Sequence, residues 1–359
     1  MATLFMALNM KAGKFLLFVA VISVLSVAAQ AQRTHATLKG SVERIRVHGK
    51  SLEGNLAGDS PDRDVSVYLP PGYRKNTGKR YPVIYFLHGY TDDDAKWYGF
   101  EDHWINLPKI ADSVFTSGTA KEMIIVTPNG YNKFQGSMYS NSVTTGNWED
   151  FVAKDLVAYM DKHYRTIAKP GSRGLAGHSM GGYGTMRIGE KHPEIFSSLY
   201  MLSPCCLMPY AYVPGDAEGI RKMEAVKTID DFNNADFGTK IGFASAAAWS
   251  PNPGNPPLYL DLPYKNGERL PMIEVKWWAN MPLATLDQHI QKIKELKSIA
   301  FDAGNEDQPI ATSIKVLDSS LNQYGVKHFY EEYTGDHVNR IGERIEQKML
   351  PYFSEQLAF

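Results

Sequence analysis

The sequence predicts an α/β fold: a mostly parallel central sheet with helices on both faces and a cap insertion. Three observations predict it. Short apolar runs alternate with stretches of helical period over most of the chain, as buried parallel strands and their crossover helices do. Two of those runs end in the loop-forming clusters Leu69-Pro70-Pro71-Gly72 and Pro128-Asn129-Gly130. Near mid-chain, Gly177-His178-Ser179-Met180-Gly181-Gly182 stands between a strand-like and a helix-like segment.

The first two strands are expected at 42–47 and 64–68. Residues 81–87, Tyr-Pro-Val-Ile-Tyr-Phe-Leu, are nearly continuous apolar, which suits a central strand covered on both faces. The next strand is expected at 122–127. A helix follows at about 148–164, with Phe151, Leu156, Val157 and Met160 near helical spacing. Residues 174–176 lead into the Ser179 segment and a second helix, and 197–202 form the next short strand.

From 205 to 282 the alternation breaks. This stretch holds many of the Pro and Gly residues and the aromatics Tyr210, Tyr212, Trp249, Tyr259, Tyr264, Trp277 and Trp278. It is expected to form a cap over the C-terminal edge of the sheet, within one domain spanning 32–359. A helix at 283–296, a strand at 298–302, a helix at 310–324, a strand at 327–333 and a helix at 338–350 complete the chain.

The 359 residues are 43% hydrophobic and 21% charged, a globular composition far from that of disordered chains. Net charge is −1, and it becomes −3 once Lys11 and Lys14, the only charges in 1–31, are removed. With no basic excess to neutralise phosphates, nucleic acid is excluded as a partner. Those two lysines precede the apolar stretch 15–29 and a small-x-small site, Ala29-Gln30-Ala31. Such a stretch spans roughly 22 Å as a helix, short of a ~30 Å hydrocarbon core. Residues 1–31 therefore read as a signal peptide, and the mature protein as exported, periplasmic or secreted, without stable membrane insertion. The two cysteines, Cys205 and Cys206, are adjacent and cannot staple distant parts of a fold. A pair of small residues near a strand end is the plain reading; a vicinal bridge in an oxidising compartment stays open.

Gly177, Ser179 and Gly181 make the pattern Gly-x-Ser-x-Gly. A serine on a tight strand-to-helix turn is pushed out at the top of the sheet, and side chains at the flanking glycines would collide with adjacent chain. The same turn aims the N–H of Met180 at the oxyanion formed during attack. A serine hydroxyl needs a base within hydrogen-bond reach. In the α/β-hydrolase order, nucleophile, acid, histidine, only His328 and His337 lie late enough. His328 starts a strand, where a structural role fits. His337 follows that strand, at the active edge of the sheet. The acid belongs on the loop after 298–302. Asp307 is far enough out to reach an imidazole, Asp302 is the second candidate at the strand end, and Glu306 reads as solvated. The second oxyanion donor is expected at the N–H of Tyr90, after His88-Gly89, with Gly89 permitting a sharp bend and His88 fixing the loop.

The chain here resembles the putative-esterase (esterase D-like) family of α/β hydrolases, which includes feruloyl and acetylxylan esterases. The resemblance rests on 63–73 (Arg-Asp-Val-Ser-Val-Tyr-Leu-Pro-Pro-Gly-Tyr), 81–89, 177–182, 304–307 and 335–337. It implies a triad of Ser179, Asp307 and His337 and an oxyanion hole at Tyr90 and Met180. Asp92-Asp93-Asp94 with Trp97 is similar to the corresponding loop of feruloyl esterases. Trp97 by that likeness, and Trp277 and Trp278 as aromatics of the cap over a catalytic sheet, are expected to bind substrate, a small-molecule or oligosaccharide ester. The resemblance also leaves open a siderophore esterase, an acyltransferase, or an inactive carbohydrate-binding module on the same fold. No metal or cofactor is expected. Asp92–Asp94 lacks a full set of calcium ligands and reads as a solvated loop, and neither zinc nor dinucleotide spacing is present.

Overall fold

Residues 38–208 and 216–359 are described by the computed structural model. The expected signal peptide, 1–31, and the cap residues Tyr210 and Tyr212 lie outside the described residues.

Eight strands form one sheet: β1 (Ser41–His48), β2 (Asp62–Leu69), β3 (Val83–Leu87), β4 (Ile124–Pro128), β5 (Arg173–His178), β6 (Ser198–Leu202), β7 (Ser298–Gly304) and β8 (Phe329–Tyr333). Their order across the sheet is β1-β2-β4-β3-β5-β6-β7-β8. Every pairing from β4 to β8 is parallel, and only the β1–β2 and β2–β4 pairings are antiparallel. This is the α/β-hydrolase sheet.

Alternation along each strand splits the core into two layers. Val83, Tyr85, Leu87, Leu175, Leu199, Met201 and Phe301 face one side. Ile84, Phe86, Ala176, Tyr200, Leu202 and Ala300 face the other. Both sides are buried, which is why these strands read as unbroken apolar runs. The first side is covered by the helical stretch 148–163, by Met180–Gly189 and by Ile310–Gln323. The second is covered by Leu107–Ser117 and the last helix, 341–356. Each fully buried Leu or Ile contributes roughly 1.5–3 kcal/mol.

Two helices depart from expectation. Leu107–Ser117 was not anticipated, though its signals are present: the Asn106 side chain caps the Lys109 N–H, and Gly118 stops the helix at φ +79°. The last helix was expected to stop at 350, before Pro351, but runs to Gln356. A π-helical turn, Ile345–Met349, precedes it, so the N–H missing at Pro351 falls where the hydrogen-bond ladder already changes register.

Between β6 and β7 the chain forms the helices Ala217–Ala225, Ile229–Asn234, Phe237–Trp249, Pro271–Trp278 and Pro282–Ile293. Trp249 anchors this stretch, its ring against Tyr183 of the Ser179 helix and against Trp277.

At the far end of the Ser179 helix, Glu190 is buried and one of its oxygens has no partner among the described residues. Burial pushes its carboxyl up to about 8, against the opposing pull of Lys191 and Arg187. The folded chain therefore holds a proton here that the unfolded chain releases near pH 4.5. The stability this confers is full below that pH and lost as pH rises through about 8. Glu190→Gln should raise stability at pH 8.5 by on the order of 1 kcal/mol or more and change little at pH 4.5. Urea unfolding at the two pH values measures this, and an equal effect at both would refute it.

Candidate active site

Ser179 sits at φ +57°, ψ −114°, between the end of β5 and the helix Met180–Gly189. A β-carbon at Gly181 would lie 1.9 Å from the carbonyl oxygen of Leu87, and one at Gly177 would lie 2.3 Å from that of Gly181. Both contacts are against backbone, so only glycine fits, and the turn forces the serine into its strained conformation. The Ser179 N–H donates to the Leu202 carbonyl (3.0 Å) and the Cys205 N–H to the Ser179 carbonyl (3.1 Å), tying the turn to the end of β6.

His337 Nε2 is 2.9 Å from Ser179 Oγ, and its Nδ1 is 2.7 Å from Asp307 Oδ2. The structure thus brings together three side chains predicted from sequence. Two glycines let the loops meet: a β-carbon at Gly304 would lie 2.1 Å from the Gly335 carbonyl oxygen. With that contact open, the Asn305 and Glu306 N–H groups donate to the carbonyls of Tyr333 and Gly335 (2.8 and 3.0 Å). Asp336 then receives the N–H groups of Val338 and Asn339, both at 2.8 Å, which fixes the histidine loop.

Asp302 is excluded from that triad. Alternation along β7 turns it to the face that carries Tyr200 and Arg344, whose hydroxyl and Nε both reach its Oδ2 (2.7 and 2.9 Å). Burial lifts this carboxyl to about 6, against the pull of Arg344. His328 bonds Val326 O and Asp318 and stacks on Phe301, a structural role. Glu306 is exposed.

Neither the N–H of Tyr90 nor that of Met180 donates to an acceptor among the described residues. Both residues line the cavity that contains Ser179. Gly89, expected to permit a sharp bend, does not have a left-handed φ. A β-carbon there would sit 3.5 Å from Ser179 Cβ, an ordinary van der Waals contact. Buried His88 bonds the Gly89 carbonyl through Nδ1 and accepts the Gly130 N–H at Nε2, both at 2.8 Å, so its ring holds the loop.

His178, within the Gly-x-Ser-x-Gly pattern, was not singled out from sequence. Burial first, then the neighbouring His337, pull it down to about 3, so the ring is neutral near pH 7. Its Nε2–H donates to the His337 carbonyl (2.9 Å), which positions the histidine loop from below.

The three tryptophans expected to bind substrate do not line the cavity. Trp97 is fully buried against Phe86, Trp104 and His178, with its indole N–H on Asp92 (2.9 Å). Trp277 is fully buried with its N–H on Ser250 Oγ (2.9 Å). Trp278 is exposed on the outer surface of its helix. The aspartate run is not a solvated loop either. Asp92 holds Trp97 and His103, Asp93 caps the turn Asp94–Trp97, and buried Asp94 takes Arg44 and Ser66.

The cavity, about 330 Å³, is walled instead by Tyr90, Trp104, Met138, Phe237, Ile241 and Val338, together with both cysteines. Trp104 and Phe237 are large and well exposed at its mouth. Trp104 was not singled out from sequence. Phe237 and Ile241, one helical turn apart, gave none, because the approach of Phe237–Trp249 to the cavity depends on the whole excursion between β6 and β7.

The chain is similar to several known esterases. An esterase of Mycobacterium tuberculosis is 34% identical over 139 residues, 37% of this chain and 27% of the relative. An endo-1,4-beta-xylanase/feruloyl esterase of Xylanibacter ruminicola is 32% identical over 169 residues, 46% of this chain and 21% of the relative. The chain thus spans about a quarter of the length of the curated relatives it matches. A solved ferulic acid esterase superposes with a TM-score of 0.62 at 20% identity, covering 89% of this chain and all of that one. The family described as Putative esterase matches residues 60–341, from β2 through the Ser179 turn to the start of the last helix. That match takes in the acid and histidine loops as well, and the chain belongs to the putative esterase family.

Proposed function

We propose that this chain is an exported serine carboxylic-ester hydrolase that acts through an acyl-enzyme on Ser179. One observation carries the reading: the unbroken relay Asp307–His337–Ser179, opening into a cavity beside two undonated backbone N–H groups. His337 takes the proton of Ser179 as the oxygen attacks the ester carbonyl, and it returns that proton to the leaving alcohol. Water, deprotonated by the same imidazole, then releases the acid. The N–H groups of Tyr90 and Met180 stabilise the oxyanion in both steps, with about 2.7–4 kcal/mol for each donor. Asp307 holds the imidazole tautomer and stabilises imidazolium.

The cavity favours an aromatic acyl group over acetyl. At about 330 Å³, with the rings of Tyr90, Trp104 and Phe237 on its wall, it suits a planar hydroxycinnamoyl group, and acetyl would leave most of it empty. The similarity to a xylanase/feruloyl esterase supports a plant-polysaccharide alcohol. The apolar stretch 15–29 behind Lys11 and Lys14 supports export. The stretch between β6 and β7 acts as the cap, contributing Phe237 and Ile241 to the acyl wall.

A panel of methyl ferulate, acetylated xylan, p-nitrophenyl acetate and enterobactin tests this reading. Methyl ferulate should give the highest kcat/KM among the natural-type esters. Phe237→Ala should raise the KM for methyl ferulate about tenfold, the equivalent of ~1.4 kcal/mol of ring contact, and leave p-nitrophenyl acetate nearly unaffected. Equal losses on both esters would remove the aromatic assignment.

A further inference from the structure

Cys205 and Cys206 come just after β6, beyond Ser203 and Pro204, and both line the cavity that holds Ser179 and His337. They are buried from bulk solvent, and no disulfide joins them. The pair is coupled to the serine turn, since the Cys205 N–H donates to the Ser179 carbonyl at 3.1 Å. Cys206 is held at φ +60°, a conformation that non-glycine residues rarely take. Two adjacent thiols on the wall of a reactive cavity have a chemistry that ester hydrolysis does not use.

We propose that Cys205 and Cys206 form a dithiol modification site inside this cavity, taken by small thiophilic electrophiles that bridge two sulfurs, and that the adduct closes access to Ser179. The second half of this proposal rests on Ser179 being the nucleophile; the first half does not. The ligand class is the trivalent organoarsenicals. In the reaction each thiol gives up its proton, two As–S bonds form, and the arsenic-bound oxygen leaves with both protons as water. Arsenic stays trivalent, so no oxidant or reductant is needed. In a cavity of about 330 Å³, an aryl-arsenic bridge fills space that the acyl group requires.

The full chain is treated with a stoichiometric amount of phenylarsine oxide and followed by intact mass, by fluorophosphonate labelling and by p-nitrophenyl acetate turnover. A single phenylarsenic adduct is expected, with labelling and turnover slowed about tenfold or more. 2,3-Dimercaptopropanol should reverse the effect and 2-mercaptoethanol should not. In Cys205→Ser and Cys206→Ser, each compared with its own untreated sample, one As–S bond remains, and the monothiol alone should restore the starting rate. Absence of a mass gain on the wild-type chain would overturn the dithiol site. An adduct that leaves labelling at full speed would overturn the closure. Should untreated protein neither label nor turn over, the hydrolase reading fails, while the mass gain still decides whether the dithiol site exists.

Discussion

With Ser179 replaced by alanine, hydrolysis of p-nitrophenyl acetate and methyl ferulate should fall by about five to six orders of magnitude in kcat. The substitution removes one oxygen whose side-chain partner is His337 Nε2 at 2.9 Å. Nothing in the turn depends on that oxygen. The strained backbone is imposed by Gly177 and Gly181 against neighbouring carbonyls, and the main-chain bonds to Leu202 and Cys205 are unchanged. The thermal midpoint should therefore stay close to wild type, and circular dichroism should be superimposable. Residual turnover, roughly 10³–10⁴ over water, belongs to the oxyanion donors and to binding. Fluorophosphonate labelling should vanish with the same substitution. Wild-type turnover in the alanine variant would mean that another group attacks the ester, and the whole mechanism would have to be rebuilt around it.

What could be read in the sequence follows from where the physical constraint is local. Strands buried on both faces leave continuous apolar runs, so β3 through β7 could be located before any coordinates. The meeting of Ser179, Asp307 and His337 was legible because glycines mark it. Gly177, Gly181, Gly304 and Gly335 each stand where a side chain would strike a neighbour. Choosing Asp307 over Asp302 needed only the strand end, since a residue still in the ladder is turned by alternation to one face. The cavity wall was not legible. A tryptophan supplies as much area to a core as to a pocket, and Trp97 and Trp277 went to the core, each with its indole N–H on a side-chain oxygen, Asp92 Oδ2 and Ser250 Oγ. Where a helix such as Phe237–Trp249 comes to rest is decided by contacts from Ser142, Tyr183 and Trp277, far away in sequence. The roles of Asp92, Asp93 and Asp94 were hidden for the same reason, since their partners Arg44, Ser66 and His103 carry no local signal.

Asp307→Asn should lower kcat by about 10⁴ with little change in KM or stability. The carboxylate accepts the Nδ1–H of His337 at 2.7 Å, leaving Nε2 unprotonated to receive the serine proton. An amide at this position can turn its NH₂ toward Nδ1, which then becomes the acceptor and leaves the proton on Nε2, the wrong nitrogen for a base. It also withdraws the negative charge that stabilises imidazolium in the transition state. The decisive comparison is Asp302→Ala, in the strand that precedes the Asp307 loop. Asp302 lies on the Tyr200 and Arg344 side, and its loss leaves a buried guanidinium and hydroxyl short of a partner. That change should cost on the order of 3 kcal/mol of stability, seen in urea unfolding. Turnover per fluorophosphonate-titrated site should stay within about tenfold of wild type. The two aspartates thus separate cleanly: one moves kcat at constant stability, the other moves stability at nearly constant kcat. If the pattern came out reversed, with activity lost at 302 and kept at 307, the acid would have to reach the imidazole from the sheet face, which the 2.7 Å contact from the loop contradicts.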